Sequence, residues 1–430
     1  MIRGFLIAYG VIACIALILY LPKLISFRFA FKKPPRKKVT GKRKISIVVA
    51  ARNESATIPP LLESIQKQNY DKDYFSLNVI VKEEDDPTIE LVKAVGGNTF
   101  VVNDQTCKGD VLDGYFKQIG EGINDYDAFV IVDADAVLSF DYVSMLNEAL
   151  EDDADIVITR KFNRNLYGGK KTRSLFSNCA ALLWPILDDL GNTALMQYDI
   201  PLNLCGQGMM VRRSVIEKIG GWPYRTLTED YELRLDSYLK GFKSIYYPYA
   251  VIHTEEATDR ENDYNRRLRW LTGYAQCDKK YRAQIKAQMK EKKRPTLGEV
   301  EYLYGYFPII LFVAITLFTM ISGSVICVIY YLLREYDVWF WSALLLVALP
   351  FEIMYLLLEG YALLAYLSCY RMFDPLSFGE KLAMMLFYPF YLLEFCPIYI
   401  KALWFVKKDE APAWQQTSRV DYDKDNDNDK

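Results

Sequence analysis

The chain has 430 residues with 52 basic and 54 acidic side chains, giving a formal net charge of −2. This balance argues against a general nucleic-acid binder, which carries an excess of positive charge. Apolar residues make up 51% of the chain, and their concentration in a few blocks indicates membrane segments beside a soluble domain. The eight cysteines form no C-x-x-C pair, so neither a zinc site nor a disulfide framework is expected.

The N-terminal segment predicts a transmembrane helix over residues 1–27. Gly4–Leu21 is an uninterrupted apolar run of the length that a membrane helix needs, and nine basic residues follow between Arg28 and Lys44. Because basic residues collect on the inner side of a membrane, the domain that follows is expected in the cytosol. The basic stretch could also hold anionic lipid headgroups.

Residues 28–258 predict an α/β domain. Short apolar, β-rich runs alternate with polar helical stretches such as Pro59–Lys67 and Tyr142–Glu151. The predicted strands are Ile45–Ala51, Leu77–Lys82, Phe100–Val102, Ala128–Asp133 and Ile156–Thr159. This alternation indicates a mostly parallel sheet with ligands at the carboxyl ends of its strands.

The segment 259–300 predicts amphipathic interfacial helices. From Asp263 to Met289, apolar residues recur at helical spacing, and Lys and Arg occupy much of the remaining surface. A basic amphipathic helix beside membrane segments is typical of the headgroup plane, and the alternative is an ordinary helix packed on the domain.

Three apolar blocks predict a C-terminal transmembrane region over residues 301–408. They are Phe307–Leu332, Val338–Leu367 and Leu382–Val406. The last block contains two prolines and Glu394, so it is interpreted either as a clean span or as a broken or interfacial segment. Its terminal lysines favour a cytosolic tail, whereas three full spans would place the tail outside. Residues 409–430 form a charged tail that is expected to be disordered.

The D-x-D pair Asp133 and Asp135 directly follows the apolar run Ala128–Val132. Two carboxylates at a strand end can face one site, and their hard oxygens suit Mg²⁺ or Mn²⁺ bridging a diphosphate. Alone, the pattern is equally typical of a solvated turn.

Two further motifs point to group transfer. Thr228-Glu229-Asp230 contains a carboxylate that could take a proton from an acceptor hydroxyl, and its alternative is a capping threonine with an acidic first helical turn. Arg266-Arg267-Leu268-Arg269-Trp270 combines arginines that match phosphate geometry with an indole that can stack on a sugar. Lipid phosphates are the alternative partner of these arginines.

With Asn53-Glu54 after the first strand, these motifs resemble the processive-type membrane branch of glycosyltransferase family 2. That branch includes cellulose, chitin, hyaluronan and poly-N-acetylglucosamine synthases and ceramide glucosyltransferases. Its pattern is N-E, an acidic residue after strand two, K-G, D-x-D, T-E-D and Q-x-x-R-W. The resemblance covers about residues 45 to 275. It implies a cytosolic GT-A-type α/β domain, flanked by transmembrane and interfacial helices, that uses a UDP-sugar and Mg²⁺ or Mn²⁺.

The resemblance also implies roles for individual residues. The general base would be Asp230, next to Glu229, and the metal ligands would be Asp135 and Asp133. The implied donor-binding residues are Asn53, Glu54, Glu83, Lys108, Asp133, Gly208, Arg266, Arg269 and Trp270. Glu84 or Asp86 could take the role of Glu83.

The chain departs from the family pattern at Arg266, where the family has glutamine. Ceramide glucosyltransferases tolerate arginine there, so activity is expected, and a long-chain polymer synthase is less favoured. The expected function is transfer from a UDP-sugar, with inversion, to build a cell-surface polysaccharide or related glycan, and the alternative is single transfer onto a lipid. The expected setting is a multi-pass cell-membrane protein with membrane lipids and a glycan or lipid acceptor as partners, and no nucleic acid.

Overall fold

The computed structural model describes residues 34–198, 201–291, 307–334 and 338–412, together with scattered residues between 4 and 31. Most of the predicted N-terminal transmembrane helix over residues 1–27 and most of the predicted tail over residues 409–430 lie outside the described residues.

An eight-stranded sheet is the centre of the α/β domain, with the strand order β3-β2-β1-β4-β7-β6-β8-β5. The strands are β1 (Ile45–Ala50), β2 (Phe75–Val81), β3 (Asn98–Val101), β4 (Ala128–Asp133), β5 (Val137–Leu138), β6 (Ile156–Asn163), β7 (Met209–Arg212) and β8 (Ser244–Thr254). Strands β3, β2, β1 and β4 are mutually parallel, and β7 is antiparallel to both β4 and β6. The mostly parallel α/β sheet and all five predicted strands are confirmed, and β5, β7 and β8 are additional.

Thirteen α-helices are described. They are α1 (Pro59–Gln66), α2 (Thr88–Ala94), α3 (Lys108–Ile119), α4 (Tyr142–Ala149), α5 (Leu175–Pro185), α6 (Thr193–Leu195), α7 (Arg213–Ile219), α8 (Glu229–Lys240), α9 (Arg260–Glu291), α10 (Phe307–Leu332), α11 (Val338–Ser368), α12 (Phe378–Leu393) and α13 (Phe395–Lys407). A π-helical segment, Ile186–Asn192, directly continues α5.

The sheet is covered on both faces, as expected of parallel strands. In β1, Ile47 and Val49 belong to one buried cluster, whereas Val48 belongs to the cluster on the opposite face. A strand buried on both sides favours apolar residues on both faces, and Ser46, the polar residue of β1, is buried and hydrogen-bonded to the hydroxyl of Tyr115.

The C-terminal helices join the α/β domain through a third buried cluster, which includes Cys179 of α5, Ala362 of α11 and Met384 of α12. Three segments are long and apolar enough to cross a membrane, namely Val313–Leu332, Phe340–Ser368 and Phe378–Lys407. These segments correspond to the three predicted apolar blocks.

The apolar face of α9 packs against α8 of the α/β domain. Cys277, Tyr281 and Ile285 share a buried cluster with Leu235 and Tyr238 of α8. This contact matches the alternative of a helix packed on the domain, and a position of α9 in the headgroup plane stays a prediction.

Part of the basic stretch that precedes β1 forms ion pairs with the α/β domain. The guanidinium group of Arg36 lies 2.6 Å from the carboxylate of Glu148, and Lys37 Nζ lies 3.0 Å from Asp152. These two cations are therefore held at the acidic C-terminal end of α4.

Candidate active site

The predicted site lies at the carboxyl edge of the parallel strands. Strands β1, β2 and β4 end at this edge, and the antiparallel β7 begins there. The Gly208 N–H donates to the carbonyl of Ile131 at 2.9 Å, which brings the loop before β7 against the end of β4. Loops at the carboxyl ends of parallel strands are where α/β sheets bind ligands.

Lys108 is the central cation of the site. Its Nζ donates to Asp133 Oδ1 at 2.5 Å and to the Gly206 carbonyl at 3.0 Å, and it lies 3.9 Å from Glu229 Oε1. Burial alone would lower the pKa of Lys108, but the surrounding carboxylates, Asp133 first, raise it above its ordinary value. The amine therefore stays charged and links the D-x-D turn to the first turn of α8.

Gly206 lets the chain pass through the middle of the site. A Cβ atom at this position would lie 3.1 Å from Glu229 Oε1 and 3.3 Å from Lys108 Nζ. The Gly206 N–H donates to Asp230 Oδ2 at 2.5 Å. A side chain here would occupy the space between the cation and the predicted base.

Asp230 and Glu229 begin α8, where a helix N-terminus favours negative charge. Asp230 Oδ1 also accepts the N–H of Tyr231 at 2.7 Å. Burial raises the pKa of both carboxyls above their ordinary values, although Lys108 opposes the rise. A buried carboxylate with a raised pKa is a stronger proton acceptor, as a general base requires. Thr228 occupies the N-cap position, but its side chain makes no capping hydrogen bond.

The D-x-D turn offers two hard oxygen ligands. Asp133 is held by Lys108, and Asp135 Oδ1 accepts a long hydrogen bond of 3.4 Å from Gln207. Among the described residues, no group of three or more His, Cys, Asp or Glu is arranged to hold a metal ion. Mg²⁺ is usually held by one or two protein carboxylates and completes its shell with phosphates and water, so the Asp133–Asp135 pair fits such an ion.

The loop after β1 contacts the loop after β2 through Asp86. Asn53 has the left-handed φ of 56°, which asparagine tolerates better than most residues. Its N–H donates to Asp86 Oδ2 at 3.0 Å, and the Thr88 N–H donates to Asp86 Oδ1 at 2.9 Å. Asp86 is buried, whereas the Glu83 side chain is largely exposed. Of the acidic candidates in this loop, Asp86 is therefore the one that shapes the Asn53 turn.

Helix α9 holds the loop that leads to Asp230. Arg269 Nη1 donates to the Leu227 carbonyl at 3.3 Å, and the Leu227 N–H donates to Gln276 Oε1 at 3.1 Å. A Cβ on Gly273 would lie 2.5 Å from Thr228 Oγ1, so only glycine permits this approach. The arginine-rich motif thereby contacts the T-E-D motif directly.

Arg266 is enclosed by acidic and aromatic side chains. Its guanidinium pairs with the buried carboxylate of Glu256 and lies 3.1 Å from Asp263 Oδ1. The Arg266 Cζ atom lies 4.9 Å above the centre of the Trp270 ring. The indole N–H of Trp184 donates to the other oxygen of Glu256 at 2.7 Å. Glu256 therefore bridges the arginine to a second tryptophan, whose ring centre is 6.3 Å from that of Trp270.

The structure brings several predicted residues into one network, whereas others lie in two neighbouring groups. The network contains Lys108, Asp133, the Gly206–Gly208 loop, Glu229 and Asp230. Asn53 belongs to the Asp86 loop, and Arg266 and Trp270 belong to the Glu256 group.

Sequence reasoning missed Glu256, Trp184 and Glu232. Glu232 accepts the N–H groups of Arg225 and Thr226 at 2.9 Å and also pairs with Lys280 of α9. No motif marks these residues, because their roles arise from contacts between distant segments. The nearest signal was the repetition of acidic residues in the first turn of α8.

The fold and these motifs define a GT-A-type α/β domain with three helices of membrane-spanning length. A family model described as glycosyl transferase family group 2 matches residues 128–396, more than half of the chain. The chain belongs to this family.

Two curated relatives and one solved structure resemble the chain. "Probable glycosyltransferase YdaM" of Bacillus subtilis is 25% identical over 270 residues, covering 61% of each chain. "Beta-monoglucosyldiacylglycerol synthase" of Trichormus variabilis is 24% identical over 246 residues, covering 53% of this chain and 48% of the relative. The chain thus matches about three fifths or less of the length of these relatives.

The solved structure is the mannosyltransferase PcManGT from Pyrobaculum calidifontis in complex with GDP-Man and Mn²⁺. It has a TM-score of 0.51 and 18% identity, and it covers 94% of this chain and 99% of that chain. At this identity, the likeness shows a shared fold.

Proposed function

We propose that the protein is a membrane-attached glycosyltransferase that moves a sugar, with inversion, from a UDP-sugar to an acceptor hydroxyl at the membrane surface. One observation carries the proposal: Lys108 joins Asp133 of the D-x-D turn to the Gly206 loop, whose N–H binds the partly buried Asp230. A cation for a diphosphate thus lies beside a base for an acceptor. Family membership supports the transfer of glycosyl groups.

In this proposal, Asp230 takes the proton of the acceptor hydroxyl while the acceptor oxygen bonds to the anomeric carbon. The bond between that carbon and the diphosphate oxygen breaks, and UDP leaves with the electron pair. Lys108 and Arg269 stabilise the charge that develops on the diphosphate. Mg²⁺ or Mn²⁺ held by Asp135 and Asp133 would supply further charge neutralisation there. A single displacement inverts the configuration, so an α-linked donor yields a β-linked product.

Two classes of product are compatible with this chemistry, a cell-surface polysaccharide and a glycolipid. The surroundings of Arg266 favour the second. The family's glutamine at this position can hydrogen-bond a sugar, whereas Arg266 is already paired with Glu256 and Asp263. A growing polysaccharide would therefore lack one hydrogen-bond partner at this position, which favours short products. The relative named beta-monoglucosyldiacylglycerol synthase supports the same choice.

The proposed setting is a cell membrane, with the α/β domain on the cytosolic side. Helices α10 and α11 include two of the three segments that could cross a bilayer. The basic residues before β1 support the cytosolic orientation through the positive-inside rule.

The test is a donor panel. The purified full-length protein in lipid nanodiscs is incubated with UDP-sugars, GDP-mannose as a competing donor, and a membrane lipid extract, and the product is then sized. Short, lipid-extractable products made from a UDP-sugar support the proposal. A high-molecular-weight, glycosidase-sensitive polymer would restore the polysaccharide synthase, and no transfer from any donor would contradict both readings.

A further inference from the structure

The last apolar segment, Phe378–Lys407, is long and apolar enough to cross a membrane. We infer that it lies flat along the membrane surface, on the side of the α/β domain, and does not cross. The segment consists of α12 and α13, which are joined at Glu394. This inference rests on the proposed membrane attachment through α10 and α11.

Ion pairs tie this segment to the α/β domain and α9 along its whole length. They lie near its start, at its junction and just beyond its end: Glu380–Arg173 at 2.8 Å, Glu394–Arg267 at 2.5 Å and Asp409–Lys279 at 2.7 Å. At about 1.5 Å per residue, a helix of this length measures roughly 45 Å. Because a hydrocarbon core is about 30 Å thick, a crossing helix could contact a water-soluble domain only near one end.

Aromatic and aliphatic contacts fill the intervals between the ion pairs. The ring of Phe387 in α12 lies 5.9 Å from that of Phe176 in α5. In α13, the buried Ile398 and Ala402 pack against Leu268 of α9. Helix α9 in turn packs on α8, which carries Asp230. Helix α13 is therefore connected to the active-site helix through α9.

The opposite face of the segment is apolar and exposed. In α12, exposed side chains recur every four residues, and the spacing in α13 is also helical. They are Phe378, Leu382, Leu386, Phe390, Ile400, Leu403 and Trp404. One face thus packs on protein while the other is an apolar stripe, which is the pattern of a helix embedded at the boundary between headgroups and acyl chains.

The occupant of this stripe is a lipid surface, because the stripe continues into the predicted membrane helices. Tyr355 of α11 donates to the Leu386 carbonyl at 2.8 Å, and the rings of Phe351 and Phe390 lie 6.4 Å apart. Tryptophan and lysine at the edge of the stripe are typical of a membrane interface, and Lys408 Nζ lies 3.9 Å from the centre of the Trp404 ring.

A flat final segment determines on which side of the membrane the chain continues after Lys407. Helices α10 and α11 form a crossing hairpin, and residues after Lys407 return to the side of the α/β domain. The charge of Glu394 lies against Arg267 on the protein and is kept out of the hydrocarbon, where a carboxylate is costly. Because α13 packs on α9, a flat α13 also brings α9 close to the membrane surface, where a lipid acceptor would present its headgroup.

The experiment compares single cysteines in full-length protein in sealed vesicles, labelled with a membrane-impermeant maleimide. The background replaces the exposed thiols Cys14 and Cys396 with serine. Glu90→Cys reports the side of the α/β domain, Leu333→Cys the hairpin turn, and Glu410→Cys the segment end. All three positions are exposed. Permeabilised vesicles provide the labelling maximum for each variant.

The expected result is that Glu410→Cys labels together with Glu90→Cys, while Leu333→Cys labels from the opposite side. Labelling of Glu410→Cys together with Leu333→Cys would overturn the inference, because the segment would then cross. Labelling of all three cysteines from one side would contradict the membrane hairpin of α10 and α11, and hence the proposed membrane attachment. This outcome differs from the one that overturns the flat segment alone.

A depth measurement gives an independent test. A bimane fluorophore on Ile400→Cys, on the exposed stripe, is quenched by lipids brominated at shallow or deep acyl positions. We expect stronger quenching by the shallow position, because an interfacial helix lies about 5–10 Å into the headgroup boundary. Stronger quenching by the deepest position would contradict the inference.

Discussion

The backbone N–H of Gly206 donates a 2.5 Å hydrogen bond to Oδ2 of Asp230, which places the loop before β7 directly on the proposed base. Gly206→Ala would add a Cβ atom 3.1 Å from Glu229 Oε1 and 3.4 Å from Asp230 Oδ2. We expect a loss of kcat together with a rise in donor KM, because the added atom crowds both the base and Lys108, whose Nζ would lie 3.3 Å away. Gly41→Ala is the control, since a Cβ there meets nothing within 4 Å. Equal losses in the two variants would contradict this role.

Asp135 is proposed to hold the metal together with Asp133. Asp135→Ala, or excess chelator, is expected to abolish transfer and to weaken UDP binding measured by calorimetry in the presence of Mn²⁺. The control is Asp153→Ala, because Asp153 is fully exposed. Full activity in excess chelator would remove the metal from the mechanism.

In the pH profile of kcat/KM, the acidic limb is expected at a pH above the ordinary aspartate pKa of about 3.9. Burial raises the pKa of Asp230, and a general base works only when deprotonated, so kcat/KM falls as the pH falls through this raised pKa. The positive charge of Lys108 favours the deprotonated form, so Lys108→Gln is expected to move the limb to higher pH. Lys117→Gln, an exposed cation of α3, is the control. An unchanged limb in Lys108→Gln would contradict the coupling.

Glu256 and Arg266 are expected to depend on each other for stability. Breaking a buried ion pair by removing one partner costs about 3–5 kcal/mol. Glu256→Gln and Arg266→Gln should each lower Tm, and the double variant should lower it by less than the sum. Because Trp270 stacks under Arg266, the acceptor KM should rise in both single variants while the donor KM changes little. Additive changes in Tm would contradict the pairing.

Much of the fold follows from local sequence pattern, whereas part of the site depends on contacts between distant segments. Strand β4 was predictable because a buried apolar run ends at Asp133, and the parallel pattern predicts that such strand ends meet at one edge. Strand β8 is harder to predict, because it contains Pro248 and its pairing with β6 shifts register after Thr159.

The surroundings of Arg266 could not be predicted from its motif. Glu256 and Trp184 are 72 residues apart in sequence, and neither belongs to a recognisable pattern. Burial of Arg266 between Glu256 and Asp263 is a property of the packed domain. The motif predicts a cation near phosphate, and the structure adds the carboxylates that already neutralise it.

The most direct test of the proposed mechanism compares Asp230→Asn with the wild-type protein, using UDP binding by calorimetry and sugar transfer in the same preparation. We predict that the variant keeps the wild-type affinity for UDP and loses transfer by about 10²–10⁴-fold, because asparagine preserves the side-chain shape but cannot take the acceptor proton. Transfer at the wild-type rate by Asp230→Asn would contradict the account.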